Sequence, residues 1–138
     1  MTNLHTVEKY MSTFVQTIEP TATVEVAEEM MQRLGIRHLP VVSRGKLVGL
    51  LSESDIKFYR NFVTGVEARN AEVADVCKND VFAVDVHASL EYVLNEMEER
   101  KLGSVVVLSE GRIAGIFTTL DALAALSKML HQEQGPSH

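Results

Sequence analysis

Gly45-Lys46-Leu47-Val48-Gly49-Leu50-Leu51-Ser52-Glu53-Ser54-Asp55 returns 66 positions later as Gly111-Arg112-Ile113-Ala114-Gly115-Ile116-Phe117-Thr118-Thr119-Leu120-Asp121, without a gap. The register holds upstream, where Val41 matches Val107, Met31 matches Met97, Glu25 matches Glu91 and Ala22 matches Ala88. A repeat of this kind predicts two related units, each with an apolar face that needs a neighbour to cover it. The other copy is the nearest cover. Two related units are expected to share an interface with two roughly equivalent clefts, and function is expected there.

Each copy reads as strand, helix, strand, strand, helix. In the first, Phe14 to Ile18 is a short strand candidate closed by Pro20. Val24, Ala27, Met31 and Leu34 recur at three- and four-residue steps, which predicts a helix over 22–34 stopped by Gly35. His38–Val42 and Lys46–Leu51 form a hairpin around Ser43-Arg44-Gly45, and a helix follows from about Ser52 past Tyr59. The second copy repeats this with a strand at 81–84, a helix at 89–100, and a hairpin at 104–117 around Glu110-Gly111. Its last helix carries Leu120, Leu123 and Leu126. Residues 60–72 read as a helix end plus loop, 1–13 as a partly helical arm whose Val7, Tyr10 and Met11 pack on the core, and the chain after Gln132 as frayed. Strand–helix–strand implies a parallel pair with a right-handed crossover, and the hairpin adds an antiparallel strand. The fold class is therefore α/β (α+β), with a three-stranded mixed sheet and flanking helices in each copy.

Composition narrows the function. The apolar fraction of 46% fits a globular chain, and a net charge of -6 argues against broad nucleic-acid binding, which needs a basic footprint. It leaves room for one local basic pocket. Cys77 is the single cysteine, so an intrachain disulfide is impossible, and a cytoplasmic location is expected. The first twenty residues lack the basic start and apolar core of a signal peptide, and runs such as Val105 to Leu108 are too short to span a bilayer.

Ser52-x-x-Asp55, repeated as Thr118-x-x-Asp121, is the sharpest local feature. Each follows a glycine-containing strand and opens a helix. One reading is a capping box, in which the hydroxyl accepts from the third helical amide and the carboxylate reaches back. An inherited cap recurs as readily as a functional group, so recurrence does not separate the readings. The other reading is a carboxylate on a sheet rim accepting from two vicinal ribose hydroxyls, contributing about 1.5–3 kcal/mol. The histidines show no metal-ligand spacing, and Cys77 lacks an activating neighbour. Met30, Met31 and Met97 read as core filling, and Lys57, Arg60 and the 96–100 charges as solvated helix faces.

Ile36-Arg37-His38-Leu39-Pro40-Val41-Val42, the turn at Gly45, Leu47-Val48-Gly49-Leu50-Leu51 and Ser52-x-x-Asp55 resemble the signature of a cystathionine-β-synthase (CBS) domain. Val15-x-Thr17-Ile18-x-Pro20 is similar to its opening strand, and the second copy resembles it from Val73 to Leu123. The resemblance implies a tandem pair, or Bateman module, related by pseudo-two-fold symmetry. Its parts are CBS domain 1 at 7–62, a linker at 63–72, CBS domain 2 at 73–125, and a C-terminal helix end and tail at 126–138. It also implies a regulatory sensor of adenine nucleotides (AMP, ADP or ATP) acting through ligand-dependent conformational change, without enzyme activity or a required cofactor. The alternatives are a sensor of S-adenosylmethionine or NAD, and a ligand-free dimerisation or adaptor module.

Carried over by position, one cleft takes Ser52 and Asp55 for phosphate and ribose, Arg37 and His38 for phosphates, and Ala83, Val84, Ser104 and Val105 for the base. The other takes Thr118 and Asp121, with Thr17, Ile18, Leu39 and Pro40 toward the base. Gly103-Ser104 stands where Arg37-His38 stands in the first copy, so the Asp55 cleft is the one expected to accept a polyphosphate. The resemblance further implies a homodimer, which Leu123 and Leu126 could support, and a regulated protein partner.

Overall fold

Two-residue turns set both hairpins. Arg44 and Gly45 have φ of 52° and 77°, and Glu110 and Gly111 have 52° and 79°. Positive φ at both central residues is the hairpin geometry whose twist matches that of the flanking strands. Around them pair β1 (His38–Ser43) with β2 (Lys46–Ser52), and β4 (Ser104–Ser109) with β5 (Arg112–Thr118), all antiparallel. Each hairpin carries an irregularity at the same repeat position, between Val41 and Val42 and between Val107 and Leu108.

The computed structural model describes residues 5–134. They form two compact units, one of Gln16–Val81 and a second of residues 5–15 with 82–134. The first unit holds α1 (Val24–Leu34), the β1–β2 hairpin, α2 (Glu53–Tyr59), α3 (Gly65–Asn70) and α4 (Val73–Val76). The second holds a 3-10 turn at Val7–Lys9, β3 (Ala83–Asp85), α5 (Leu90–Arg100), the β4–β5 hairpin and α6 (Thr119–Gln134). Thr23 and Ser89 cap α1 and α5 by accepting from the amides of Val26 and Tyr92.

The opening strands differ between the copies. In the second unit β3 pairs with β4 in parallel, Ala83 to Asp85 against Val106 to Leu108, giving a three-stranded sheet in the order β3-β4-β5. In the first unit the strand expected over 14–18 shrinks to one parallel bridge, Ile18 to Val41. Proline is the cause. The Ile18 amide donates to the Pro40 carbonyl and the Val42 amide donates to the Ile18 carbonyl, at 3.0 and 2.9 Å. The next bond on one side would come from position 20, where Val86 of the other copy donates to Leu108 at 2.9 Å, but Pro20 has no N–H. On the other side Pro40 occupies the ladder position of Val106 and likewise has no proton to give.

Each unit is completed by chain from the other copy. In the first unit, Val24, Val73 and Ala74 donate main-chain bonds to Ala71, Ala22 and Pro20. In the second, Leu90, Val7 and Glu8 donate to His5, Ala88 and Val86, each pair shifted by the repeat spacing. Two further bridges match: Leu50 pairs with Lys78, and Ile116 with Ser12. The segment leading into the first copy is thus built into the second unit, and the segment leading into the second copy into the first. Val73 and Val7 are fully buried at equivalent places, each contributing about 1.5 kcal/mol or more.

The cores repeat accordingly. Ile18, Val24, Ala27, Met31, Leu39, Val41, Leu51, Ile56 and Val73 cluster in the first unit. Val84, Leu90, Val93, Met97, Val105, Val107 and Phe117 with Val7 and Ala125 cluster in the second, with Tyr10 and Met11 packed against them. Met30 packs on the first cluster, so the methionines fill core as expected. Residues 60–72 hold the additional helix α3, and α6 stays helical through Gln134, past the expected fraying point. The rest of the tail and residues 1–4 lie outside the described residues.

Candidate functional site

The approach of the exchanged segments explains Gly49 and Gly115. A Cβ on Gly49 would lie 2.8 Å from Cys77 Sγ and 2.9 Å from the Lys78 carbonyl oxygen. On Gly115 it would lie 2.6 Å from Met11 Sδ and 2.7 Å from the Ser12 carbonyl oxygen. The glycines let a second backbone lie against β2 and β5, just before the two Ser/Thr-x-x-Asp elements. The side chain at the tip of each segment, Lys78 or Ser12, thereby reaches the acidic residue.

In the first unit Ser52 and Asp55 form a complete capping box. The Asp55 amide donates to Ser52 Oγ at 3.0 Å, and the Ser52 amide donates to Asp55 Oδ2 at 2.9 Å. Asp55 Oδ1 is left facing Lys78 Nζ at 3.8 Å, the carboxylate 14% and the lysine 71% exposed. Arg37 is exposed, and its carbonyl accepts from the Glu53 amide at 2.9 Å, which fastens β1 to the start of α2. His38 pairs with Ser52 across the hairpin. Burial lowers the His38 pKa; Asp55 opposes that shift, while Lys78 and Arg37 add to it. The shift favours the neutral imidazole, and a nearby anion favours its protonated form. Arg37, His38, Ser52 and Asp55 are thus brought together, and Lys78 joins them.

A groove of about 250 Å³ runs from Asp55 along Phe58, Tyr59 and Phe62 to Asp75 and Val76. Phe58 and Phe62 stack edge to face and are 66% and 74% exposed. The groove has carboxylates at Asp55 and Asp75, whereas the cations lie at Arg37 and Lys78. Lys57 and Arg60 are taken up in surface ion pairs with Glu53 and Glu28, in keeping with a solvated helix face. Burial and the Asp55 charge raise the Cys77 pKa, which disfavours a thiolate. Among the described residues no group of three or more His, Cys, Asp or Glu could hold a metal ion.

The second unit answers differently. Asp121 Oδ2 accepts from the Thr118 amide at 2.9 Å and from Thr118 Oγ1 at 3.2 Å, and Oδ1 accepts from Ser12 Oγ at 2.9 Å. Both oxygens are engaged by the chain. Gly103 and Ser104 occupy the positions of Arg37 and His38, and Ser104 pairs with Thr118. Ser104 is 4% exposed and its hydroxyl finds no hydrogen-bond partner among the described residues, a state that costs about 1–3 kcal/mol.

The remaining expected residues divide by unit. Thr17, Ile18, Leu39 and Pro40 lie in the first, and Ala83, Val84 and Val105 in the second. The side chains of Ile18, Leu39, Val84 and Val105 belong to the cores of their own units, so the main chain is what they have to offer a ligand. Thr17 is exposed, Ala83 half-buried and Pro40 buried. Lys78 was not expected. The signal for it is the repeat spacing itself, which places Lys78 opposite Ser12 and Cys77 opposite Met11.

The chain is 29% identical over 117 residues to hypoxic response protein 1 of Mycobacterium tuberculosis, covering 84% of this chain and 81% of that one. The crystal structure of the AcuB protein of Vibrio cholerae superposes with a TM-score of 0.84 at 26% identity, covering 96% of this chain and 98% of that chain. CBSX2, solved in complex with AMP, has a TM-score of 0.78 at 21% identity, covering 92% of this chain and 99% of that chain; at that identity the likeness is one of fold. No described helix is long and apolar enough to cross a membrane. The CBS-domain model matches twice, at residues 7–61 and 73–128. Repeat, fold and both matches agree, and the chain belongs to the CBS-domain family as a tandem pair.

Proposed function

We propose that this protein is a cytoplasmic regulatory sensor of an adenine nucleotide, with Asp55 as the residue that takes the ribose. The observation that carries this reading is the division of labour at Asp55. One carboxylate oxygen closes the helix cap and the other has only a loose partner, Lys78 at 3.8 Å, on the same unit as Arg37 and His38. AMP, the ligand of the CBSX2 complex, supplies a vicinal diol for the carboxylate and a phosphate for the cations. The proposed role of these groups is to bind and hold the nucleotide. A ligand shifts the protein only by its differential affinity for two states. Helix α2, whose first turn carries Asp55, is the element positioned to respond.

Titration calorimetry of the purified protein with AMP, ATP, S-adenosylmethionine and NAD tests this reading. Saturable binding of AMP or ATP is the expected result; heats of dilution alone for all four would reject it.

A ligand-free role fits Asp121 better, because both of its oxygens are consumed in holding the cap and the Ser12 segment. On this reading the second site is structural.

Homodimer formation is proposed for the α6 face. Leu120, Leu123, Leu126 and Leu130 are 77%, 57%, 54% and 47% exposed along it. The equivalent positions of α2 carry Ser54, Lys57 and Arg60 at the first three. One helix surface of this kind is self-complementary and suits an isologous pair. Leu123→Glu is expected to convert a dimer to a monomer in sedimentation experiments with little change in melting temperature. An unchanged dimer mass would place the contact elsewhere.

A further inference from the structure

We infer that Lys78 selects the charge of the ligand at Asp55, favouring phosphate-bearing nucleotides and rejecting uncharged nucleosides. The inference rests on the proposed ribose role of Asp55 and adds a determinant that lies outside the Ser52-x-x-Asp55 element.

The geometry is specific to one unit. Lys78 is carried to Asp55 by paired main-chain bonds with Leu50, at 2.9 and 3.0 Å, across the close approach that Gly49 permits. The same bonds, at 2.8 and 2.9 Å, carry Ser12 to Asp121. One scaffold therefore delivers an ammonium to one carboxylate and a hydroxyl to the other. Arg37 and His38 reinforce the difference, because their counterparts are Gly103 and Ser104. Every position that can bear positive charge at the first site is uncharged at the second.

Lys78 contacts the very oxygen a ribose diol would need. The capping box engages Oδ2, so Oδ1 is the oxygen more open to an incoming sugar, and Nζ stands 3.8 Å from it. An uncharged nucleoside that takes this oxygen leaves the ammonium without a counter-ion beside Arg37. A nucleotide supplies one, because the displaced lysine is 71% exposed on a flexible stem and can swing to the phosphate. Asp75 on the groove wall repels phosphate from the other side, so the anion is directed toward Arg37, His38 and Lys78. The lysine penalises one ligand class and rewards the other, which is how discrimination exceeds what attraction alone provides.

The test is calorimetry of the full chain with AMP and adenosine, comparing wild type, Lys78→Ser and Lys78→Arg. Lys78→Ser is expected to weaken AMP by about fivefold to tenfold and to tighten adenosine, while Lys78→Arg keeps the wild-type ratio. A loss that is equal for AMP and adenosine, or no change for either, would overturn the inference while leaving nucleotide binding intact. Absence of AMP and adenosine binding to wild type would overturn the ribose role of Asp55 and the inference together. Because the Lys78 side chain is largely exposed, melting temperatures of both variants should match wild type, which separates a binding effect from misfolding.

Discussion

Asparagine in place of Asp55 is expected to lower the affinity for AMP or ATP by roughly 10- to 150-fold, with the protein still folded. The range follows from losing charge-assisted hydrogen bonds to a ribose, about 1.5–3 kcal/mol. Asparagine keeps the shape and one carbonyl oxygen, so it can still accept from the Ser52 amide and preserve most of the cap. The Lys78 ion pair adds little to stability, because an exposed lysine 3.8 Å from its partner contributes about 0–1 kcal/mol. Asp121→Asn is the informative companion. It should disturb the Ser12 tie and the second cap while leaving nucleotide affinity near wild type. Calorimetry and thermal denaturation of the two variants separate these roles. Equal nucleotide affinity in wild type and Asp55→Asn would leave that carboxylate as a helix cap and nothing more.

Gly115→Ala is expected to cost about 3 kcal/mol and to lower the melting temperature by roughly 10 °C. The added methyl would sit 2.7 Å from the Ser12 carbonyl oxygen, which is main chain and cannot swing aside as the Met11 side chain can. Relief requires the 5–15 segment to move away from β5. That movement breaks both Ser12–Ile116 bonds, releases Asp121 Oδ1 and uncovers Val7. Gly49→Ala meets the same obstacle at slightly longer range, 2.8 and 2.9 Å, so its cost should be real but smaller. Differential scanning calorimetry gives the ranking directly. If Gly115→Ala melts within a degree of wild type, the close approach at β5 does not exist.

The hairpins, α1, α5 and both Ser/Thr-x-x-Asp elements are legible in the sequence, because each is written twice and periodicity and turn chemistry agree at both places. Other features had weaker signals. Helix α3 is six residues long, begins at a glycine and buries only Ala68, so it carries no periodic stripe to detect. The short opening contact of the first copy depends on which amides Pro20 and Pro40 remove, a matter of pairing partners rather than of local propensity. Lys78 hides for a third reason. Val76-Cys77-Lys78-Asn79 has no motif of its own, and its importance comes from a backbone crossing that only Gly49 and Gly115 hint at. The carboxylates themselves were visible, but which of their oxygens the chain already consumes was not.

The exchange of lead-in segments constrains how the polypeptide can be made. The first unit has all its parts once synthesis reaches Val81, whereas the second must keep residues 5–15 waiting until β5 and α6 have been made. A gene fragment cut at the boundary between the sequence copies would leave each half lacking a piece of its own wall. The duplicated halves are therefore interdependent in assembly, and a chain cut there should fold only when both fragments are present together.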